Sequence, residues 1–223
     1  MEIKGVKIQY LGHSGFLFSN GSGKTIAIDP YSLSDNIPKT DLILITHSHY
    51  DHCSIEDIKK IAREGTTIII PADAQSKVTK IEGLDMQIIE PGDELQIGNI
   101  KIEAIPAYNT NKKFHPKQEG WMGYIIKFKE VIIYHSGDSD KIPEMKNLTG
   151  YGKHGNEFIT LLPVSGKFVM SAEEAAGVAS LLSPDLAIPM HYGAGVAGTI
   201  KDAEEFVELC KEKNIKAEIL EKI

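Results

Sequence analysis

The sequence Thr-His-Ser-His-Tyr-Asp-His at residues 46–52 follows directly after the apolar segment Leu-Ile-Leu-Ile at residues 42–45. Three histidines and one aspartate therefore lie within six residues. Imidazole nitrogens and carboxylate oxygens are common ligands of zinc and related divalent cations, and catalytic sites keep one position open for water. Ordinary loop histidines are the alternative, but groups that converge in this way have little reason to do so unless a cation holds them. The segment therefore predicts a metal site.

The spacing of these residues suggests how two ions could be bound. Side chains two residues apart in an extended turn point to the same side, so His47 and His49 are expected to share one ion. Asp51 and His52 lie one step further along, at the start of a predicted helix, and are expected to reach a second ion. Cys53 follows; a soft metal ligand is one interpretation of it, and a small apolar residue at the start of a helix is the preferred one.

The rest of the chain alternates between strand and helix patterns. Ser54 and Asp57 predict the start of the helix that follows the metal segment, and Ser171 and Glu174 predict the start of a later one that ends near Leu182. A polar loop is expected at residues 106–120, where it would border the site, and irregular structure at 139–156. Strands are predicted at 6–10, 16–18, 25–28, 67–70, 87–89, 94–97, 100–104, 122–128, 131–134, 158–162 and 186–188, with helices at 55–64, 72–80 and 202–213.

Three predicted strands are each followed by a side chain that can bind a metal. His47 comes after residues 42–45, Asp138 after 131–134 and His191 after 186–188. Ligands at the same ends of buried strands can converge, as sites in layered folds commonly do. Asp138 would otherwise be an ordinary turn residue after glycine, but this pattern favours a functional role.

Composition limits the class of protein. The chain has 223 residues, 42% hydrophobic and 25% charged, which predicts one globular domain over residues 1–223. Its formal net charge is -7 and it has no Lys/Arg-rich block, so nucleic acid is a disfavoured partner. No apolar run reaches membrane-spanning length, and residues 1–5 do not resemble an export leader. With two cysteines far apart, a cytoplasmic protein without a disulfide framework is expected.

The His-x-His-x-Asp-His pattern resembles the signature of the metallo-β-lactamase-fold hydrolases. Within them, the chain is similar to the small single-domain metal-dependent hydrolases related to ascorbate-phosphate lactonase. The resemblance extends over nearly the whole chain. It includes residues 11–14, 28–30, 135–138, 162–166, Met170, 173–175 and 188–193.

The resemblance implies a four-layer αββα sandwich of the α/β (α+β) class and a two-metal site. His47 and His49 would hold one ion, and Asp51, His52 and His191 the other, with Asp138 bridging them. Zinc is the expected metal, with Mn²⁺ or Fe²⁺ as alternatives. The ions would activate water to cleave an ester, lactone or phosphoester bond of a small molecule. Asp51 is the candidate for orienting that water or moving its proton, so Asp51 and Asp138 are the candidate catalytic residues.

The chain departs from the common pattern at the third histidine of the first ion. Relatives place it in a segment resembling Pro-Gly-His, whereas this chain has Tyr108 and Asn109 there. One hypothesis is a weakly held first ion, and the other is that His115 returns to supply the ligand. Tyr108 and Asn109 remain candidates for contact with metal or substrate.

Two further histidines are candidates for supporting roles. His13, in the first predicted turn, fits a structural role as well as one beside the ligands or the substrate. His135 and Tyr192 flank predicted ligands and could form hydrogen bonds to them, or could simply be packed.

Other functions remain open at this point. A phosphodiesterase or nuclease is the main alternative, although residues 139–190 are too few for the domain that nuclease relatives insert after the aspartate ligand. A redox di-iron protein is a second, and the resemblance includes no flavin-binding domain. A metal-binding protein without turnover is a third, because binding and catalysis use the same residues. The sequence does not specify the substrate or the oligomeric state.

Overall fold

Two β-sheets form the centre of the computed structural model, which describes residues 1–21, 23–153 and 155–223. In the first sheet the spatial order follows the chain order: β1 (Glu2–Ile3), β2 (Val6–Gly12), β3 (Gly15–Asn20), β4 (Thr25–Ile28), β5 (Leu42–Leu44), β6 (Thr66–Ile70) and β7 (Leu84–Ile88). The second sheet contains β8 (Glu94–Ile97), β9 (Ile100–Pro106), β10 (Met122–Lys127), β11 (Val131–His135), β12 (Glu157–Pro163) and β13 (Leu186–Met190), each beside the next.

Four α-helices accompany the sheets in the described part of the chain. They are α1 (Ile55–Ile61), α2 (Gln75–Val78), α3 (Ala172–Leu182) and α4 (Ile200–Glu212). Short 3₁₀ segments occur at Ala72–Ala74, Lys117–Glu119 and Pro143–Leu148. Among the described residues, no helix combines the length and the apolar character needed to cross a membrane.

The two sheets share one pairing pattern. Strands β2, β3 and β4 pair antiparallel, and β4, β5 and β6 then pair parallel. Strands β9, β10 and β11 are likewise antiparallel, and β11, β12 and β13 parallel. Each sheet thus changes from antiparallel to parallel at one strand, β4 in the first and β11 in the second. This internal repetition leaves no trace that we could detect in the sequence.

The burial of strand β5 shows how the layers stack. Leu42 and Leu44 belong to the large apolar cluster that includes residues of the second sheet, whereas Ile43 belongs to the cluster that includes Ile58 and Ile61 of α1. Alternate side chains of a strand face opposite sides, so an all-apolar strand indicates a sheet covered on both faces. Helices α3 and α4 contact β12 and β13 and cover the second sheet. The predicted four-layer αββα sandwich is therefore confirmed.

Both predicted helix starts are present. The Ser54 side chain accepts a hydrogen bond from the Asp57 backbone N–H at the start of α1. At the start of α3, Ser171 and Glu174 form a reciprocal capping box, which satisfies two backbone N–H groups that the helix leaves free.

Several predicted boundaries were wrong. Helix α1 ends at Ile61 rather than at residue 64, because Ala62 is extended (ψ 152°) and the Ile61 carbonyl accepts a hydrogen bond from the Thr40 N–H at 2.8 Å. Helix α4 covers 200–212 rather than 202–213, and the helix predicted at 72–80 divides into a 3₁₀ turn and α2. Strand β7 covers 84–88 rather than 87–89. Residues 139–156, predicted to be irregular surface, include a 3₁₀ segment with buried Met145 and Leu148.

Candidate metal centre

Side chains from both sheets meet at one edge of the sandwich. The first sheet supplies His13 from the turn between β2 and β3, Asp29 after β4, and residues 47–52 after β5. The second supplies His115 from the loop between β9 and β10, Asp138 after β11, and His191 after β13. All are buried except Ser48 and His49, which are half-buried, and Tyr50, which is exposed. The sequence indicated strand-end positions for His47, Asp138 and His191. These positions bring together side chains from opposite sheets.

The ligand atoms form two groups around the carboxylate of Asp138. One group consists of His47, His49 and His115, whose ligand atoms lie within 4.8 Å of one another; the other consists of His13, Asp51, His52 and His191, with the same limit. Asp138 Oδ2 lies 3.8 Å from His47 Nε2, 3.2 Å from His115 Nε2 and 3.1 Å from His191 Nε2. Its Oδ1 lies 3.3 Å from His52 Nε2. Asp138 therefore faces members of both groups.

The buried polar atoms of the centre that lack a hydrogen-bond partner indicate whether these side chains suit a cation. Among the described residues, the buried atoms without a hydrogen-bond partner include His52 Nε2, His115 Nε2 and Asp138 Oδ1. Leaving buried polar atoms unpaired costs about 1–3 kcal/mol each, more for charged groups, so native proteins rarely do it without a reason. Imidazole nitrogens and a carboxylate oxygen are ligands that a divalent cation would satisfy together. The side chains of His52, His115 and Asp138 therefore fit a bound divalent cation.

Asp29, which was not among the predicted site residues, holds the metal-binding segment in place. Its carboxylate is fully buried and accepts hydrogen bonds from the Thr46 N–H at 2.8 Å and the Thr46 hydroxyl at 2.6 Å. His52 Nδ1 lies 2.7 Å from the same carboxylate. Since a carboxylate only accepts, His52 carries a proton on Nδ1 and donates it to Asp29. Its Nε2 then faces Asp138, as a metal-ligating histidine held by a carboxylate would.

Two other contacts orient the first group. The Thr46 hydroxyl, which already donates to Asp29, lies 2.9 Å from His47 Nδ1 and can accept its proton. His47 Nε2 is then free to bind, 3.1 Å from His49 Nδ1. Trp121 packs against the rings of His47 and His49, with centroids 5.0 and 4.7 Å away, and its Nε1–H donates to Asp73. Trp121 was not among the predicted site residues, and no pattern in the sequence marks it.

His115 enters the first group from the loop predicted to border the site. Its ring centroid lies 5.1 Å from that of His47 and 5.1 Å from that of His49. Asn109 Oδ1 accepts a hydrogen bond from the His115 backbone N–H at 2.9 Å and lies 3.2 Å from His115 Nδ1. The Tyr108 hydroxyl instead lies 2.8 Å from Glu144 Oε2. Tyr108 and Asn109 stand where the resemblance places a histidine. Asn109 supports His115, whereas Tyr108 contacts Glu144 instead of the ligand groups.

Within the second group His13 supports Asp51, and Ser165, which is outside the group, supports His191. His13 Nε2 lies 2.9 Å from Asp51 Oδ2, and Ser165 Oγ lies 3.0 Å from His191 Nδ1. His13 and His191 both adopt a left-handed backbone (φ 54° and 62°), and the His191 N–H donates to the His13 carbonyl at 2.7 Å. Non-glycine residues rarely take this conformation, so its presence at two neighbouring histidines indicates a local constraint at the site.

Charges in the centre are strongly coupled. Burial lowers the pKa of His47 well below its usual value, and the neighbouring His52 lowers it further. Burial also acts to lower the pKa of His52, but Asp138 and Asp29 outweigh it and raise that pKa well above its usual value. Burial disfavours the charge on Asp138, yet His191 and His52 hold its pKa well below its usual range. A buried positive charge beside Asp138 is thus favoured, and a bound cation would provide it.

The remaining candidates lie outside the two groups. His135 Nε2 donates to the Ser14 carbonyl at 2.8 Å, and its Nδ1 accepts from the Gly137 N–H at 3.1 Å, so its ring braces the turn before Asp138. Tyr192 stacks on Tyr10 with centroids 5.8 Å apart. Cys53 is buried in the apolar cluster under α1, as its preferred interpretation predicted.

A cavity of about 280 Å³ opens onto this centre. Its wall includes His49 and His115 of the first group and Asp51 and His191 of the second, so a molecule in the cavity would contact both groups. Such a concave space beside convergent polar groups is the usual setting of a small-molecule site.

Comparison with known families identifies the architecture. The family model of the β-lactamase superfamily domain matches residues 7–191. The chain belongs to this superfamily. The matched residues include every member of the two ligand groups and Asp138.

Individual relatives cover almost the full chain. A UPF0173 metal-dependent hydrolase of Pyrococcus furiosus is 33% identical over 218 residues, covering 93% of each chain. A crystal structure from Parabacteroides distasonis, assigned as a metal-dependent hydrolase, has a TM-score of 0.82 at 32% identity and covers 97% of this chain and 94% of its own. Igni18, a metallo hydrolase of Ignicoccus hospitalis, has a TM-score of 0.75 at 26% identity, with coverage of 97% and 95%. The two solved structures share the fold over 94% and 95% of their own chains.

Proposed function

We propose that this superfamily member is a metal-dependent hydrolase that binds two divalent cations, zinc being the expected ion, and cleaves an ester, lactone or phosphoester bond of a small molecule. The observation that carries the proposal is the Asp138 carboxylate, which is surrounded by Nε2 atoms of four histidines from two ligand groups. The names of the Pyrococcus, Parabacteroides and Ignicoccus relatives support it.

In this proposal His47, His49 and His115 hold one cation, and Asp51, His52 and His191 hold the other, with Asp138 reaching both. Bound cations lower the pKa of water and polarise the substrate oxygen on which negative charge develops. The protein supplies a neutral imidazole at His47, whose pKa burial keeps low, and ionised carboxylates at Asp138 and Asp51. Burial acts to raise the pKa of Asp51, but the hydrogen bond from His13 and the neighbouring His52 together lower it to about 2.

Asp51 is the residue placed to orient the attacking water. It lines the cavity, and the His13 N–H fixes one of its carboxylate oxygens at 2.9 Å. The other oxygen can accept a hydrogen bond from water and receive its proton as the new bond forms. Asp29 and Ser165 keep His52 and His191 oriented, so each offers Nε2 to the centre.

Metal reconstitution tests the proposed function directly. Protein stripped with a chelator and titrated with Zn²⁺, Mn²⁺ or Fe²⁺ is expected to take up about two ions per chain, one for each ligand group. Hydrolysis of a panel of carboxylic esters, lactones and phosphodiesters should appear only after metal is added. Elemental analysis and calorimetric titration measure uptake, and a spectrophotometric assay measures turnover. Absence of a tight site, or metal uptake without turnover on any member of the panel, contradicts the proposal.

His115→Ala is expected to weaken binding of one cation by about 10–100-fold and to lower turnover by at least an order of magnitude, as loss of a ligand or its support typically does. Tyr108→Phe is the matched variant from the same loop. It removes a hydroxyl that contacts Glu144 and should leave metal content unchanged. Equal metal affinity and equal turnover in His115→Ala and the unmodified protein would assign His115 to a structural role.

A further inference from the structure

The cavity over the metal centre has an apolar outer wall. Apart from the ligand-group residues and Asp138, its lining consists of Tyr50, Phe114, Phe168, Gly195 and Val196. No lysine or arginine contributes to the lining within the described part of the chain. A molecule that reaches the centre therefore meets aromatic and aliphatic surface around its non-reacting part.

Two aromatic residues of this wall are unusually exposed. Tyr50 is 63% exposed and Phe114 48% exposed, although burial of such side chains is favourable. Phe114 stands edge to face with Phe168, with ring centroids 4.7 Å apart, and Tyr50 is edge-on to Tyr31 at 5.8 Å. A single exposed apolar residue is ordinary, but two at the mouth of one cavity form a surface that a flat apolar group could cover.

Three lysines close in sequence to the cavity wall have partners of their own. Lys167 Nζ lies over the Phe168 ring, 4.7 Å from its centroid. Lys112 pairs with Asp140 at 2.7 Å, and Lys117 with Glu144 at 2.7 Å. A nucleotide or phosphomonoester carries more negative charge than one carbonyl oxygen and usually needs such side chains. The formal net charge of -7 disfavours the approach of anions further.

We propose that the substrate of this site, if the protein is a hydrolase as proposed above, is an uncharged carboxylic ester or lactone with an aryl or branched apolar group. Phe114, Phe168 and Tyr50 bind that group while the carbonyl lies at the metal centre. The oxygen of water bonds to the carbonyl carbon, and the bond from that carbon to the alcohol oxygen breaks. One proton of the water passes to the departing alcohol oxygen, and the carboxylic acid product releases its proton to solution.

Two methyl esters with the same leaving group provide the first test. The metal-reconstituted protein should hydrolyse methyl phenylacetate with a kcat/KM at least about tenfold above that for methyl acetate, because only the former places an aromatic ring against the wall. Phe114→Ala should lower kcat/KM for methyl phenylacetate about tenfold, mainly through KM, and lower kcat/KM for methyl acetate by a clearly smaller factor. Ile88→Ala is the control, because Ile88 is 44% exposed but lies on β7 outside the cavity. It should match the unmodified protein on both esters.

Binding to metal-free protein gives a second readout that needs no turnover. Saturation-transfer NMR with 4-phenylbutan-2-one, a neutral aryl ketone that cannot be hydrolysed, should detect binding that Phe114→Ala weakens and Ile88→Ala does not. Phenyl phosphate should bind less well under the same conditions, because the cavity offers its charge no lysine or arginine.

The outcomes separate this inference from the proposed function. Faster hydrolysis of phosphodiesters than of esters, or equal kcat/KM for the two methyl esters, overturns the substrate class but leaves the hydrolase proposal standing. Failure to hydrolyse any ester, lactone or phosphoester overturns the hydrolase proposal. In that case ketone binding that depends on Phe114 still supports an apolar ligand, and its absence removes this inference as well.

Discussion

Asp138→Asn is expected to abolish hydrolysis and to leave the purified protein with less than one tightly bound cation per chain. The carboxylate is buried and lies between 3.1 and 3.8 Å from four imidazole nitrogens. Asparagine keeps one oxygen but turns an N–H donor toward imidazoles whose lone pairs would bind metal. Removing one partner of a buried charge cluster costs about 3–5 kcal/mol, which corresponds to about two to four orders of magnitude in affinity or rate.

Asp140→Asn provides a matched control for this variant. Asp140 is equally buried and lies two residues further along, but it accepts hydrogen bonds from the Thr110 N–H and from Lys112 rather than contacting the imidazoles. The Asp140→Asn variant should unfold at a lower temperature and keep its full metal content. Elemental analysis and circular dichroism on both variants make the comparison. If Asp138→Asn is fully loaded with metal but inactive, Asp138 has no role in metal binding. If the variant is fully active, Asp138 has no role in the site at all.

Asp29→Asn is expected to lower metal affinity by about 10–100-fold although Asp29 would not itself hold metal. The Asp29 carboxylate accepts three hydrogen bonds, from the Thr46 N–H, the Thr46 hydroxyl and His52 Nδ1. Asparagine can accept with one atom only. If the asparagine side-chain oxygen faces the Thr46 N–H, the side-chain NH₂ group points its hydrogens toward His52 Nδ1. His52 must then move its proton to Nε2, which removes the lone pair that a metal would use.

Asp41→Asn distinguishes this effect from a general loss of stability. Asp41 also accepts a backbone N–H and a hydroxyl, both from Thr25, at the opposite end of strand β4. Both variants should unfold at a lower temperature, but only Asp29→Asn should lose metal affinity in calorimetric titration. Heteronuclear NMR of the His52 ring in metal-free protein would show the change of tautomer. An unaltered His52 tautomer together with unaltered affinity would limit Asp29 to a packing role.

The sequence was most informative where a local rule determines structure. Alternation and turn residues predicted strands β2, β3 and β4, and the pairs Ser54/Asp57 and Ser171/Glu174 predicted two helix starts. Errors arose where a distant contact determines a boundary. Helix α1 stops at Ile61 because its last carbonyls meet the segment around Thr40, a contact that no local pattern shows.

The same distinction applies to the metal centre. Residues 47–52 form a compact motif, and strand ends drew attention to Asp138 and His191. Asp29 also follows a strand, β4, and the same reasoning could have placed it beside His47. Asp29 precedes Pro30, however, and an aspartate before a proline is also typical of a turn. Trp121 and Ser165 became visible only through tertiary packing, because aromatic and hydroxyl side chains at those positions are common in any soluble protein.

The division of the ligand groups between the two sheets has a consequence for unfolding. His47 and His49 come from the first sheet and His115 from the second, while Asp51 and His52 come from the first and His191 from the second. Each cation would therefore cross-link the two halves of the sandwich. Separation of the halves would break both sets of ligands, so dissociation of metal and opening of the sandwich would be linked events. A cation at 1,000 times its dissociation constant would add about 4 kcal/mol to the free energy of unfolding, making the thermal midpoint depend on metal concentration.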